Sequence, residues 1–497
     1  MKSSHTLVLH LGLLSIACAS CLARDSSAFE APNIVVILAD DLGYGDVQAL
    51  NPERGKIATP NLDRLVKEGL SFTDAHSGSS VCTPTRYGLL TGRYAWRTRL
   101  QQGVLDGGND EPLIAAGRLT LPGLLKQHGY HTACIGKWHL GFVAQAPADG
   151  ATAGGKKKLG SGGAPVGSAI KGGPVSRGFD YYLGCSNART MSSLIENDKV
   201  IERIEPVAML PRLSQRAVEY VGERAAQEKS GQPFFLYFPL TSPHTPIVPS
   251  PQWQGKSGLG SYGDFVMQTD AVVGELLAAL DKHGLADNTL VIFTADNGCS
   301  PAAGTGKLEQ QGHFASERSR GYKADIWDGG HRVPFVVRWP GKVRANNRSN
   351  QLICLTDLMA TCAEVVAAKL PADSAEDSQS VLPLLLGQDT VPREAVVHHS
   401  IEGKFAIRQQ QWKLCLCAGS GGWSKGGGPD SPQLYDMHTD PGETKNLATQ
   451  YPEVVSKLTK LLEQSVQDGR STPGAKQAND VPVRILKNAP EKTKSKK

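Results

Sequence analysis

The chain has 497 residues, 40% hydrophobic and 20% charged, which allows a large core and two unequal domains and matches an ordinary soluble globular protein. Its net charge of +5 is small for this length, and Lys487, Lys492, Lys494, Lys496 and Lys497 place much of it at one end. Residues 471–497 therefore read as a basic, disordered tail, and nucleic acid is not expected as a partner.

Residues 1–23 read as an export signal. Lys2 gives a positive start, and Leu7 to Ala17 is apolar apart from His10 and Ser15. Ala17-Cys18-Ala19 or Cys21-Leu22-Ala23 offers the cleavage end. A mature chain in the periplasm or outside the cell is expected. No other segment reaches the ~18 unbroken apolar residues of a membrane span, so no integral membrane segment is expected. Of ten cysteines, two lie in the signal. Cys82 stands apart, and Cys134, Cys185, Cys299, Cys354, Cys362, Cys415 and Cys417 read as buried small hydrophobes.

The region 24–390 opens with Asn33 to Ala39, a continuous apolar run suited to a strand buried on both faces. Similar runs recur at Thr132–Ile135, Phe234–Phe238, Thr289–Thr294 and Pro334–Arg338. Helical patterns lie between them at Asn61–Gly69, Arg212–Glu228 and Asp264–His283. The alternation predicts an α/β domain whose large mixed, mainly parallel sheet is sandwiched by helices. A Gly-rich stretch at 148–173, with Lys156-Lys157-Lys158, reads as a surface insertion. From 391 to 470 the pattern changes to short strands (Ala395–His399, Gln411–Cys417, Leu434–Asp436), a Gly-rich loop and a helix over Pro452–Gln467. A smaller C-terminal domain of antiparallel strands and one helix is expected.

In open α/β sheets ligands sit beyond the carboxyl ends of the strands. Those ends carry Asp40-Asp41, then Lys137 and His139, then His244, then Asp296-Asn297. Any one alone reads better as a turn; four together point to a site. Asp40, Asp41, Asp296 and Asn297 are hard oxygen donors, suited to Ca²⁺ or Mg²⁺ and not to zinc. Arg86, Lys137, His139, His244 and Lys323 add the positive charge of a pocket for a multiply charged oxyanion. Residue chemistry alone leaves Cys82 open between a nucleophile and a buried structural thiol, because a thiolate is a poor match for a hard cation.

Cys82-Thr83-Pro84-Thr85-Arg86, followed by Leu89-Leu90-Thr91-Gly92-Arg93, resembles the C-x-P-x-R signature of the type I, formylglycine-dependent sulfatases of the alkaline phosphatase-like superfamily. The order Asp40-Asp41, Cys82, Arg86, Lys137/His139, His244, Asp296-Asn297 and Lys323 is similar to that family's set. Leu434-Tyr435-Asp436, Asp440-Pro441-Gly442-Glu443 and Asn446-Leu447-Ala448 resemble its C-terminal stretch.

The resemblance implies hydrolysis of sulfate esters, on sulfated sugars or polysaccharides, with phosphate or phosphonate esters as the alternative. It implies one Ca²⁺ per chain at Asp40, Asp41, Cys82, Asp296 and Asn297, and a maturation enzyme that oxidises Cys82 to formylglycine. One hydroxyl of the hydrated aldehyde attacks sulfur. His244 or Lys323 protonates the leaving alcohol, and His139 takes the proton of the second hydroxyl so that sulfate is expelled. Arg86 and Lys137 hold the formylglycine and the charge around it. The segment Gly321-Tyr322-Lys323-Ala324-Asp325-Ile326-Trp327-Asp328-Gly329-Gly330 departs from the family form at Asp325 and Trp327, which are expected to affect substrate choice. His331 is expected near the substrate, Asp328 to be structural, and His76 and His131 to be structural or surface residues.

Overall fold

The computed structural model describes residues 31–107, 110–147, 163–227, 231–426, 428 and 430–486. The expected export signal, the first part of the insertion and residues 487–497 lie outside the described residues.

Ile34 to Ala39 are wholly buried because their strand, Asn33–Ala39, lies in mid-sheet. It runs parallel to Phe234–Pro239 on one edge and Thr289–Ala295 on the other, with Val36 opposite Tyr237 and Ile292. His131–Lys137 and Tyr181–Cys185 continue the parallel series, so five adjacent strands end at one rim. Beyond them pairing becomes antiparallel, through Phe335–Arg338 on one flank and Ser193–Glu196 on the other. Among the described residues this makes a twelve-stranded mixed sheet. The helices Pro206–Gln227 and Ser261–Lys282 pack against each other beside it. No helix among the described residues is long and apolar enough to cross a membrane.

Three details differ from the sequence reading. The expected Arg212–Glu228 helix begins at Pro206 and runs through Pro211. An interior proline costs about 3 kcal/mol, but the added turn buries Met209 and Leu210, each worth about 1.5–3 kcal/mol. The second part of the expected insertion is not loop throughout. Ala169–Lys171 pairs with Val143–Gln145 and buries Ile170. Residues 471–486, assigned to the tail, lie against the large domain. Asp480 pairs with Arg93 at 3.0 Å, its amide donates to the Arg97 carbonyl, and Asn479 Oδ1 accepts from Arg97 at 2.9 Å.

The C-terminal domain is a four-stranded antiparallel sheet: Val396–His399, Phe405–Gln409, Trp412–Cys415 and Gln433–Asp436. Leu458 and Leu462 of the helix Pro452–Gln467 share a core with Val396, Phe405, Ile407 and Leu434, and Tyr94 and Trp96 of the large domain enter it. A buried polar seam joins the domains nearby. Lys413 meets Asp328 at 2.8 Å and Glu443 at 2.7 Å, and Glu443 accepts from the Asp328 amide at 2.7 Å. His76, His331 and His398 cluster in the same seam, with the last two rings stacked 3.8 Å apart. His76 is thus structural, as read, and so is Asp328. His331 is not beside the catalytic pocket but belongs to this cluster, its Nε2 3.1 Å from the Ile326 carbonyl. His131 is half-buried against the Tyr220 hydroxyl at 2.9 Å.

Candidate active site

Cys82 begins a fully buried helix, Cys82–Thr91. Pro84 is tolerated in its first turn because that turn's amides have no intrahelical acceptor. The helix stops at Gly92, whose φ of +63° is left-handed, and a Cβ there would sit 2.9 Å from Ala375 Cα and Met359 Cβ. Cys82 therefore lies at the positive end of a helix dipole, where anions are favoured.

The parallel strands bring the remaining side chains to it. Asp40 Oδ1 is 3.6 Å from Cys82 Sγ, and Asp40 Oδ2 accepts from Lys137 Nζ at 2.7 Å. Arg86 donates through Nε and Nη2 to Asp296 Oδ2, at 3.0 and 2.8 Å, and through Nη1 to the Lys137 carbonyl at 2.9 Å. Lys323 Nζ donates to Asp41 Oδ1 and lies 3.4 Å from Cys82 Sγ. Asn297 Nδ2 donates to Asp41 Oδ1 at 2.8 Å, which leaves its buried Oδ1 without a partner among the described residues. His244 Nε2 lies 3.6 Å from Asp41 Oδ2, and donor atoms of Asp40, Asp41, Cys82 and His244 lie within 4.8 Å of one another. All ten residues read from the sequence are brought together. Asp41 and His139 hold φ of +65° and +55°, a strained conformation for residues other than glycine, and such strain clusters at functional sites.

Burial opposes ionisation of Asp40, but Lys137, His244 and Arg86 outweigh it and hold the carboxyl at about 2. Burial also opposes Asp41, and Lys323 and His244 again prevail to lower it. The Cys82 thiol is pushed up to about 12, by burial first and then by Asp296. His139 is held well below the usual imidazole range by burial, Lys137 and Arg86, so its ring is neutral. Its Nε2 donates to the Leu105 carbonyl at 2.8 Å, and its buried Nδ1 has no partner among the described residues. Since a carbonyl only accepts, Nδ1 carries the lone pair. By the same logic His244 Nδ1 donates to the Thr245 carbonyl at 2.5 Å and leaves Nε2 available.

Cys82, Lys137, His139, His244 and Lys323 line a pocket of about 160 Å³. Asn187, Arg189 and Trp423 line it too, and of these Asn187 and Arg189 were not singled out from the sequence. Asn187 and Arg189 follow the fifth parallel strand, so the strand-end rule applied to Tyr181–Cys185 locates them. Of the two residues expected to affect substrate choice, Trp327 is only 1% exposed and packs with Ile326, Ala406 and Tyr435, away from the pocket. Asp325 is buried as well, but it holds the Trp423 loop.

Acids and bases interleaved at the carboxyl ends of a parallel series, around the N-terminus of the Cys82 helix, define a hydrolase for oxyanion esters. The comparisons make this specific. The Sulfatase family model matches residues 32–368, and the model of the N-sulphoglucosamine sulphohydrolase C-terminal region matches 322–468. The chain is 34% identical to an N-acetylgalactosamine-6-O-sulfatase of Bacteroides thetaiotaomicron, over 87% of this chain and 93% of that protein. It is 33% identical to human arylsulfatase A, over 90% and 89%. A solved structure from work on glycosaminoglycan metabolism by Bacteroides thetaiotaomicron superposes with a TM-score of 0.76 at 32% identity, covering 88% of this chain and 99% of that one. The chain belongs to the sulfatase family, within the alkaline phosphatase-like superfamily, and is a sulfuric ester hydrolase.

Proposed function

We propose that this is an exported sulfatase of sulfated sugars in which a maturation enzyme converts Cys82 to formylglycine, and in which Asp40, Asp41, Asp296, Asn297 and residue 82 hold one Ca²⁺. The observation that carries the reading is Asn297 Oδ1, buried without a donor among the described residues on a side chain whose Nδ2 donates to Asp41. A buried carbonyl oxygen with no donor is costly, and its neighbours are the hard donors Ca²⁺ prefers. The residues fit the ion. When bound, it supplies Lewis-acid stabilisation of charge on the sulfate oxygens.

The chain's own groups account for the proton movements. A thiol pushed up to about 12 stays protonated at neutral pH, which supports an oxygen nucleophile at this position and not a thiolate. His139 Nδ1, neutral and unpaired, takes the proton from the second hydroxyl of the aldehyde hydrate. Lys323 through Nζ, held charged by Asp41 against the effect of burial, or His244 through Nε2 once that nitrogen has taken the proton of the attacking hydroxyl, gives a proton to the leaving alcohol. Arg86 is immobilised by Asp296 and the Lys137 carbonyl and keeps its charge beside residue 82. The sugar substrate is supported by the N-acetylgalactosamine-6-sulfatases among the relatives, at 26–34% identity.

The test is peptide mass spectrometry across residue 82, with turnover of a panel of sulfated glycans by the same preparation. The aldehyde at 82 in active protein is expected. An unmodified thiol in active protein overturns the mechanism, and faster turnover of phosphate esters overturns the assignment of substrate.

A further inference from the structure

The segment after Lys323 binds a loop of the C-terminal domain. Asp325 is buried, and its Oδ1 accepts from the amides of Trp423 and Ser424 at 2.9 Å each, while its Oδ2 accepts from the Tyr322 amide at 2.9 Å. The Ile326 amide donates to the Ser420 carbonyl at 2.7 Å, and Ser420 Oγ closes the loop on the Ser424 carbonyl at 2.8 Å. Gly422 is required here, since a Cβ would lie 2.3 Å from the Ala324 carbonyl oxygen.

What this loop carries into the pocket is Trp423. Its surface is 46% exposed, although it lines the same cavity as Cys82, His139, His244 and Lys323. A large apolar ring held rigidly at the mouth of a polar pocket is ready for a ligand with an apolar face. Arg189 lines the cavity as well. It is exposed, and its guanidinium has no hydrogen bond or ion pair among the described residues, while its amide donates to Asn187 Oδ1 at 2.8 Å. Neither side chain has a packing role that accounts for its position.

Resting on the sulfatase reading above, we infer that Trp423 and Arg189 form the sugar subsite of this pocket. Trp423 stacks on the apolar face of the pyranose that bears the reacting sulfate. Arg189 pairs with a second anionic group of the same glycan, a carboxylate or a further sulfate. The substrate class is an anionic polysaccharide, and Asp325 is a positioning residue that acts through Trp423.

The experiment uses the full-length matured enzyme and three sulfated oligosaccharides that differ in their second group: none, a carboxylate or another sulfate. W423A is expected to raise KM about 30-fold on all three, the loss typical of a stacked anchor. W423F keeps most of the affinity, and inhibition by inorganic sulfate, which reports the catalytic centre alone, changes less than about threefold in either variant. R189Q is expected to raise KM about tenfold only where a second anion is present, and the arm that responds identifies carboxylate or sulfate. D325A follows W423A in KM while kcat is retained, and increases quenching of tryptophan fluorescence by acrylamide. An unchanged KM in W423A, a loss of sulfate inhibition along with it, or an equal response of all three arms to R189Q overturns the subsite. Wild-type enzyme that carries formylglycine yet turns over none of the three sugars overturns the sulfated-sugar reading instead.

Discussion

Replacing Lys413 by methionine tests whether the polar seam holds the two domains together. The ammonium is fully buried, 2.8 Å from Asp328 and 2.7 Å from Glu443. Each contact is worth on the order of 6 kcal/mol at an effective dielectric of about 20, before desolvation is subtracted. Removing one partner of a buried pair costs about 3–5 kcal/mol net. The lower end applies near neutrality, because Asp328 keeps Arg332 at 3.0 Å and Glu443 can take up a proton. Burial raises Glu443 to about 7, against the opposing pull of Lys413. At about 2 °C per kcal/mol for a large domain, Tm should fall by about 6–10 °C. A carboxyl raised on folding stabilises the protein below its unfolded value of 4.5, and that stability is lost as pH rises through about 7. Without Lys413 the carboxyl rises further, so the deficit of K413M should widen from pH 6 to pH 8.5. Calorimetry across that range is the assay, and K413M/E443Q should recover most of the loss. A K413M protein that melts within 2 °C of the wild type at pH 8.5, or a deficit that shrinks with rising pH, would refute the reasoning.

Asn297→Ala removes the orphaned oxygen and should weaken Ca²⁺ binding at least about tenfold, read by titration calorimetry on chelator-treated protein. His139→Asn should lower kcat by about 10²–10⁴-fold with Tm nearly unchanged, since only one ring nitrogen is used in the fold; an unaltered kcat removes it from the mechanism. Truncation after Arg470 deprives Arg93 and Arg97 of Asp480 and Asn479, and should cost several °C in thermal melts. Equal melting of the truncated and full chains would return 471–486 to the status of a tail.

How far the sequence could be read depended on the kind of signal each feature leaves. A strand buried on both faces leaves an unbroken apolar run, and a polar residue at its end stands out; Asp40, Lys137 and Asp296 were legible for that reason. Tyr181–Cys185 is equally central but reads Tyr-Tyr-Leu-Gly-Cys, with no aliphatic run, so the strand and the Asn187 and Arg189 that follow it were missed. The direction of Phe335–Arg338 was hidden because the burial of a strand within a covered sheet is the same whether its neighbour is parallel or antiparallel. Cys82 was decided as the nucleophile only through the family resemblance, since a thiol beside hard oxygen donors gives no chemical sign of its role. His331 was misplaced because a histidine eight residues beyond Lys323 gives no sign of which domain it packs against. Residues 471–486 are polar and rich in turn formers, and nothing local shows that they cover buried arginines.

The charges at the centre pair off one for one: Asp40 with Lys137, Asp41 with Lys323, and Asp296 with Arg86. The protein alone is therefore close to neutral there, and its side chains offer little net attraction for a sulfate group. The positive excess would come from the proposed cation and from the helix terminus at Cys82. The three basic residues that looked in sequence like a rim for the anion thus act first as counter-charges, which let three carboxylates sit close together under full burial. This explains why the acids and bases alternate through the contacts and do not segregate into two walls. It also separates two tasks within one pocket. The paired centre reads the sulfate through charge, and the unpaired Arg189 and Trp423 at its mouth are left to read whatever carries it.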